Sequence, residues 1–307
     1  MWARLQSACL LVVASLLGAC ALVHQENTAP LIQVEDVQRF YAIFDAATGA
    51  PSAQILQRDY LEQGSSGLQT FARLRNITGE AIAASIERNP QLYERARRCA
   101  DVLPAVRDRL QDALRRLKAL YPAAKLPPVT IAVGRGKPVG VGAPDTGIQI
   151  GLEALCAVDY LNADVEDRFV YVITHEYIHV QQAPELAEAT GLTVLELSLV
   201  EGIAEFVTEL VAGEVAYSHL RALTAGRERE IEEAFARDMD KTDVSDWLFN
   251  GTLETPGDLG YWVGYRIARA YYEHAPDKRA ALRDMLEMTD ARAFLAASGW
   301  HPGIALH

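Results

Sequence analysis

The sequence lacks an excess of positive charge. Its 307 residues include 29 lysines and arginines against 41 aspartates and glutamates, which gives a formal net charge of −12 at pH 7. A chain this acidic is repelled by the phosphates of nucleic acids and by anionic lipid surfaces. We therefore expect no nucleic-acid partner and no electrostatic attachment to a membrane.

Phosphate-binding loops and long internal hydrophobic runs are missing as well. The glycine-rich stretch 134–151 is not closed by Gly-Lys-Ser/Thr and no helix is predicted to follow directly from it, so it does not match a nucleotide site. No repeat or low-complexity region occurs. The only run that resembles a membrane segment, residues 8–23, is too short and too close to the N-terminus to predict a spanning helix.

The N-terminal segment has the composition of a signal peptide, because one charge, Arg4, precedes a short apolar run over residues 1–19. It ends in Leu17-Gly-Ala-Cys20, which resembles a bacterial lipobox, where cleavage precedes the cysteine and the thiol receives a lipid. An ordinary signal peptide or a short anchor helix is the alternative. The resemblance predicts a mature chain in the bacterial cell envelope, anchored by a lipid at Cys20, and Ala21 in place of Asp after the cysteine favours the outer membrane, facing the periplasm. Cleavage before Cys20 would remove Arg4 and change the formal net charge from −12 to −13 (−12 − 1).

Only four cysteines are present, and Cys9 and Cys20 belong to the signal peptide and the lipid site. The remaining pair, Cys99 and Cys156, can form a disulfide in an oxidising periplasm. Two buried free thiols explain the count equally well. Neither cysteine has the spacing of a cysteine zinc site.

Histidine is also scarce, with seven in the chain, yet two of them stand four residues apart in His175-Glu-Tyr-Ile-His179. The segment 167–182 has a helical pattern, so both imidazoles lie on one face. Two neutral imidazoles make half of a zinc site, and Glu176 can accept a proton from a metal-bound water. The apolar residues ahead of the motif predict a buried helix, where a histidine needs a partner. That context favours zinc over two surface histidines placed by chance.

A catalytic zinc takes three protein ligands and leaves one position for water, so a third ligand must come from another element. The next strong helical stretch, 193–211, holds Glu201 and Glu205 four residues apart among apolar neighbours. A carboxylate buried there is costly without a cation. Either glutamate satisfies the geometry of a shared helix face.

The segment Glu201-Gly-Ile-Ala-Glu205 resembles the one that supplies the third zinc ligand in gluzincin peptidases. The resemblance implies that Glu201 binds zinc and that Glu205 orients the first histidine, while the reverse assignment would place Glu205 on the metal. Together with the HExxH motif and the segments 40–45, 60–68 and 259–268, it is similar to a family of predicted zinc-dependent proteases from bacteria. This resemblance covers most of the mature chain and implies a Zn²⁺ cofactor and a peptide or protein substrate.

The segment 259–268 reads as a helix that carries Tyr261 and Tyr265 on one face. In zinc peptidases a phenol or imidazole commonly hydrogen-bonds the oxyanion. We assign this role to Tyr261, with Tyr265 second and His219 as a further candidate. Aromatic packing in a helix interface is an equally good explanation of the two tyrosines.

The patterns predict an α+β, predominantly helical fold in four parts: a lipoprotein signal peptide at 1–19, a lipid-anchored tether at 20–33, a helical N-terminal portion at 34–125 and a catalytic portion at 126–307. The resemblance implies a zincin-like metallopeptidase with a small β-sheet before the HExxH helix. Segments 127–133 and 147–151 read as strands of that sheet. Residues 142–151 are the candidate wall for an extended substrate, and a hairpin without a substrate role is the alternative.

The function that these features predict is a zinc metallopeptidase of the cell envelope. One alternative is a non-catalytic, zinc-stabilised lipoprotein that binds a partner, and another is a zinc amidase or peptidase that acts on cell-wall peptides. Structural zinc is usually closed by four protein ligands, whereas this sequence offers three together with Glu176. The ligand count therefore favours catalysis.

Overall fold

The computed structural model describes residues 32–252 and 257–306. The predicted signal peptide and the predicted lipid site at Cys20 lie outside these residues, as does most of the predicted tether. In the described part of the chain, no helix is long and apolar enough to cross a bilayer.

The chain between residues 35 and 120 is helical. The helices are α1 (Glu35–Ala46), α2 (Ala53–Ile55), which continues as a π-helical stretch (Leu56–Leu61), α3 (Ser66–Arg75), α4 (Gly79–Arg88), α5 (Pro90–Cys99), a 3₁₀ turn (Ala100–Val102) and α6 (Leu103–Leu120). Pro90 begins α5, and Asn89 caps it by accepting a hydrogen bond from the Leu92 N–H. Proline suits the first turn because its missing N–H has no partner there.

A four-stranded sheet follows these helices, in the order β1 (Ile32–Gln33), β2 (Val129–Ala132), β4 (Gly147–Gly151) and β3 (Gly140–Ala143). The first three strands run parallel, and β3 lies antiparallel to β4 at the edge. This small sheet with the helices confirms the α+β, predominantly helical prediction. The strands predicted at 127–133 and 147–151 correspond to β2 and β4.

The sheet begins inside the segment that the sequence assigned to the tether. Ile32 and Gln33 pair with Val129 and Thr130, so these two residues belong to the folded molecule, and a tether can include only residues before them. The N-terminal helices also pack directly on the sheet. For example, the Tyr60 hydroxyl donates to the Val133 carbonyl at 2.7 Å. One hydrophobic core therefore includes residues from both sides of the predicted boundary at 125.

A buried acid shapes the turn that leads from β2 to β3. The Glu153 carboxylate accepts hydrogen bonds from the backbone N–H groups of Gly134 and Gly136, both at 2.9 Å. Burial raises the pKa of this carboxyl. The sequence gave no sign of this role, because the two donors lie 17 to 19 residues away along the chain.

The rest of the chain is helical and holds the candidate site. The helices are α7 (Leu152–Ala157), α8 (Val165–Gln181), α9 (Pro184–Ala187), α10 (Val194–Ala212), α11 (Leu220–Thr224), α12 (Glu228–Asp238), α13 (Leu259–His274), α14 (Lys278–Leu286) and α15 (Ala291–Ser298). Helix α10 starts with a capping box between Thr193 and Glu196 and ends at Gly213, whose φ is 102°. Both signals are local, which explains why the helix was predictable.

Cys99 and Cys156 form a disulfide that ties the end of α5 to α7. The structure therefore decides between the bonded pair and the two free thiols. The bond closes a loop across 57 residues of sequence, so it restricts the unfolded chain strongly.

We expect the double substitution Cys99→Ser and Cys156→Ser to lower the free energy of unfolding by roughly 3 kcal/mol. Urea unfolding under non-reducing conditions measures this loss. Reduction of the parent protein should produce a similar loss, and an unchanged midpoint after reduction would contradict the stabilising role.

Candidate metal centre

Helix α8 presents its two histidines to the same point. Asp164 caps the helix by accepting from the Asp167 N–H, and the helix is buried over most of its length. One helical turn separates His175 from His179, and their Nε2 atoms lie 3.0 Å apart.

Helix α10 brings a carboxylate to that point. Oε2 of Glu201 lies 3.1 Å from Nε2 of His175 and 3.2 Å from Nε2 of His179. Tetrahedral zinc with bonds of about 2.0–2.1 Å holds its ligand atoms roughly 3.3 Å apart. These three buried side chains therefore form a group that could hold a Zn²⁺ ion, and they are the ligands that the sequence predicted.

Each histidine is held from behind by a second side chain. Nδ1 of His175 lies 2.7 Å from Oε1 of Glu205, and Nδ1 of His179 lies 2.8 Å from Oε1 of Gln182. Gln182 is itself anchored, because its Nε2 donates to the Val200 carbonyl at 2.7 Å. An N–H at each Nδ1 leaves the Nε2 lone pairs free for a metal.

These contacts separate the two glutamates that the sequence left open. Glu205 faces Nδ1 of His175, on the side of the ring away from the ligand atoms, and Glu201 is the carboxylate among them. The sequence did not identify Gln182 as a partner of His179. Its position three residues after His179, just beyond the end of α8, is the signal that could have identified it.

Charge coupling is strong within the group. Burial raises the pKa of Glu201, but the two histidines outweigh it and hold this pKa well below its usual range. For His175, burial lowers the pKa, while hydrogen bonds to Glu201 and Glu205 outweigh that effect and raise it to about 10. In the metal-free protein His175 is therefore protonated at neutral pH, so a metal must displace a proton to bind.

Glu176 points toward the edge strand β3. Its carboxyl is buried, which raises the pKa of the group. A Cβ at Gly140 would lie 2.7 Å from Oε1 of Glu176, and one at Gly142 would lie 2.2 Å from the Glu176 carbonyl oxygen. Glycine at both positions therefore allows β3 to lie against α8 beside this carboxylate.

The edge strand is shorter than the predicted substrate wall and lies slightly earlier. Residues 142–151 were predicted as the wall, whereas β3 is Gly140–Ala143 and β4 is an inner strand with neighbours on both sides. The strand at the edge of the sheet beside Glu176 is β3.

The comparison with protein families agrees with this geometry. Residues 151–292 match the family described as Predicted Zn-dependent protease (DUF2268). The matched residues include all three candidate ligands. Comparison of the chain with curated proteins and with solved structures gave no match.

Within the matched residues 151–292, α10 and α13 cross in backbone contact. A Cβ at Gly202 would lie 2.1 Å from the backbone carbon of Gly264, and a Cβ at Gly264 would lie 1.7 Å from the Ser198 carbonyl oxygen. Gly202 follows Glu201 directly, so the glycine of the Glu-Gly-Ile-Ala motif is the residue that lets α13 approach the metal centre.

That crossing places Tyr261 beside the site. Its ring is buried and lies 6.2 Å from the ring of His175, within 25° of parallel. Burial, followed by the charge of Glu201, raises the pKa of Tyr261 well above its usual value, so the phenol keeps its proton. Tyr265, the second candidate, is directed elsewhere, since its hydroxyl donates to Oε2 of Glu209 at 2.5 Å.

The segment after α10 adds an aromatic residue that was not predicted. The ring of Tyr217 stacks on Tyr261 at 4.3 Å and lies 6.2 Å from His175, and its backbone N–H donates to Oε2 of Glu205 at 3.0 Å. The ring of His219, the third candidate donor, lies 5.9 Å from that of Tyr217, and His219 is not a member of the ligand group. Burial lowers the pKa of His219, so its imidazole is neutral at pH 7.

We expect Glu205→Leu and Gln182→Leu each to weaken zinc binding by about 10- to 100-fold, because each leaves one ligand histidine without its orienting acceptor. Competition with a chromogenic chelator measures the affinity. Glu188→Gln, an exposed substitution, is the control and should bind zinc like the parent. Unchanged affinity in both site variants would contradict the orienting role.

Proposed function

We propose that this protein is a zinc-dependent peptidase that hydrolyses peptide bonds. The observation that carries the proposal is the convergence of Nε2 of His175, Nε2 of His179 and Oε2 of Glu201 within 3.0–3.2 Å, with Glu176 on the same helix. The match of residues 151–292 to a predicted Zn-dependent protease family supports it.

The donor set fits zinc, since imidazole and carboxylate are its usual partners in catalytic sites. Zinc held there would lower the pKa of a water toward neutral and polarise the carbonyl of a scissile bond. Glu205 and Gln182 keep the two imidazoles in the tautomer and orientation that such a site needs.

Glu176 is the group that we assign to proton transfer. Its carboxylate takes a proton from the attacking water and returns it to the leaving amine. Burial raises its pKa toward the working range of such a base. Tyr261 keeps its phenolic proton and is the donor that we assign to the oxyanion.

The edge strand β3 supplies the wall for the substrate backbone in this proposal. An extended peptide that pairs with β3 lies along α8 and passes Glu176. Recognition through the backbone admits many sequences, so the preference for side chains must come from other surfaces.

The ligand count supports catalysis over a purely structural zinc. A structural site is usually closed by four protein ligands, and the described residues provide a group of three. A structural zinc ion that only linked α8 to α10 would also not require the buried carboxylate of Glu176.

We propose further that the enzyme works in the bacterial cell envelope, anchored by a lipid at Cys20. The lipobox-like sequence supports this location, and so does the Cys99–Cys156 disulfide, since such bonds persist in oxidising compartments. Labelling of growing cells with a lipid precursor, with Cys20→Ser as control, tests the anchor. Label on the Cys20→Ser protein, or none on the parent, would contradict it.

The test of the enzymatic proposal is metal analysis of the purified protein, followed by digestion of a peptide library. One zinc per chain and cleavage that a chelator removes and added zinc restores are the expected results. A parallel digest of peptidoglycan distinguishes general peptides from cell-wall peptides or amides. Zinc-loaded protein that cleaves neither substrate would favour the non-catalytic, partner-binding alternative.

A further inference from the structure

Phe249 is exposed in a way that core packing does not explain. Two large hydrophobic side chains are exposed among the described residues, Ile55 at 38% and Phe249 at 66%. The two residues before Phe249, Trp247 and Leu248, are buried. The chain therefore turns the phenylalanine outward immediately after two core residues.

The backbone at Phe249 is held in an unfavourable conformation. Its φ is 58°, in the left-handed region that a bulky residue rarely adopts. Such outliers persist only where surrounding structure enforces them, and they concentrate at functional sites. A glycine or an asparagine at this position would avoid most of the strain and the exposed ring.

A buried carboxylate enforces this conformation. Asp258 accepts backbone hydrogen bonds from Phe249, Asn250 and Gly251, and burial raises the pKa of its carboxyl. In return, the side-chain oxygen of Asn250 accepts a hydrogen bond from the Asp258 N–H at 2.6 Å. The Gly260 N–H donates to the Trp247 carbonyl at 2.8 Å and fixes the loop to the start of α13.

One aromatic residue, Tyr261, separates the Phe249 ring from the metal centre. Phe249 lies 6.3 Å from Tyr261, edge to face, and Tyr261 in turn lies 6.2 Å from His175 and 4.3 Å from Tyr217. Phe249 is therefore the exposed end of a series of ring contacts that begins at the candidate ligand His175. Ile55, the other exposed hydrophobic residue, belongs to α2 in the N-terminal helices.

We propose that Phe249 binds an apolar side chain of the peptide substrate, next to the bond that is cleaved; this inference rests on the proposed peptidase function. An exposed aromatic ring gains most from an aromatic or large aliphatic partner, because both bury apolar surface and an aromatic partner adds ring contacts. The substrate class is thus an extended peptide with a large apolar residue beside the scissile bond.

The test uses binding as well as turnover. In the zinc-loaded Glu176→Gln protein, which is designed not to cleave, fluorescein-labelled alanine-based peptides with Phe, Leu, Gly or Glu at one central position are titrated by anisotropy. We expect the Phe and Leu peptides to bind more tightly than the Gly and Glu peptides. Adding Phe249→Ala to the Glu176→Gln protein should weaken the binding of the Phe and Leu peptides by about tenfold. The affinity for the Gly and Glu peptides should not change.

Kinetics of the cleaving protein give a second measurement. There, Phe249→Ala should raise KM for the Phe peptide and leave kcat nearly unchanged.

Two controls separate recognition from structural support. Ile55→Ala removes the other exposed hydrophobic side chain and should leave the affinity for all four peptides unchanged. Phe249→Gly relieves the left-handed φ and should show a Tm equal to or above that of the parent while its affinity for the Phe peptide falls. A residue with only a structural role would lower the Tm.

The outcomes also separate this inference from the peptidase function. Absence of cleavage together with Phe249-dependent binding would overturn the enzyme and keep the recognition role. Cleavage and binding that are the same with and without the Phe249 ring would overturn the recognition role and keep the enzyme. Absence of both cleavage and binding would overturn both.

Discussion

Replacement of Glu176 by glutamine is expected to lower kcat by about 10²–10⁴-fold while zinc remains bound. The amide keeps the shape of the side chain and cannot accept the proton of the attacking water. The three candidate ligands are unchanged, so zinc content should stay that of the parent. Turnover of a cleaved library peptide, together with elemental analysis of the same samples, measures both quantities.

A stability measurement makes the same variant more informative. Burial raises the folded-state pKa of Glu176 above its unfolded value, so the folded chain binds this proton more tightly. Ionisation above the unfolded pKa therefore costs stability, and the cost is absent at lower pH. In the metal-free protein, Glu176→Gln should be at least as stable as the parent at pH 7, with Glu188→Gln as the exposed control. Full activity in the Glu176→Gln variant would refute the assigned base.

Gly264→Ala is expected to destabilise the protein by roughly 4 kcal/mol or more, because the new methyl group meets backbone atoms that cannot move alone. Its Cβ would lie 1.7 Å from the Ser198 carbonyl oxygen, so α10 and α13 must separate. Separation shifts Glu201 on one helix and Tyr261 on the other. We therefore expect zinc affinity to fall together with stability, as measured by urea unfolding and chelator competition.

Gly191→Ala is the matched control for this substitution. A Cβ at Gly191 has no atom within 4 Å, and the cost of the change comes from its φ of 73° alone. That cost is about 1 kcal/mol, and zinc affinity should remain that of the parent. Equal losses in the two variants would show that the helix crossing tolerates the extra methyl group.

Much of the fold was predictable because its signals are local. The capping box at Thr193, the proline at the start of α5 and the alternation in β4 each act over a few residues. The strand β1 escaped prediction because two residues carry no periodicity, and their partner strand lies almost a hundred residues away. The disulfide was left open for the same reason, since composition does not determine whether two thiols meet.

The residues of the candidate site also fall into those that local patterns predict and those that only the structure identifies. The spacing of His175, Glu176 and His179 follows from helical geometry, and Glu201 followed from a motif resemblance on a second helix. Tyr217 carries no motif, and its position beside Tyr261 depends on the turn after α10. Phe249 looked like an ordinary loop residue until its φ and its exposure were seen together.

The sequence by itself determined the residues of the candidate site: two imidazoles on one face of α8 with an acid beside them, a pair of carboxylates on α10, and glycines where helices can touch. A helix turns by a constant angle per residue, so spacing along the chain becomes placement in space. The tertiary structure decided which carboxylate faces the Nε2 atoms, which residues hold the histidines, and which aromatic rings surround them. Those outcomes depend on contacts between residues far apart in the chain, where packing of whole helices sets the distances.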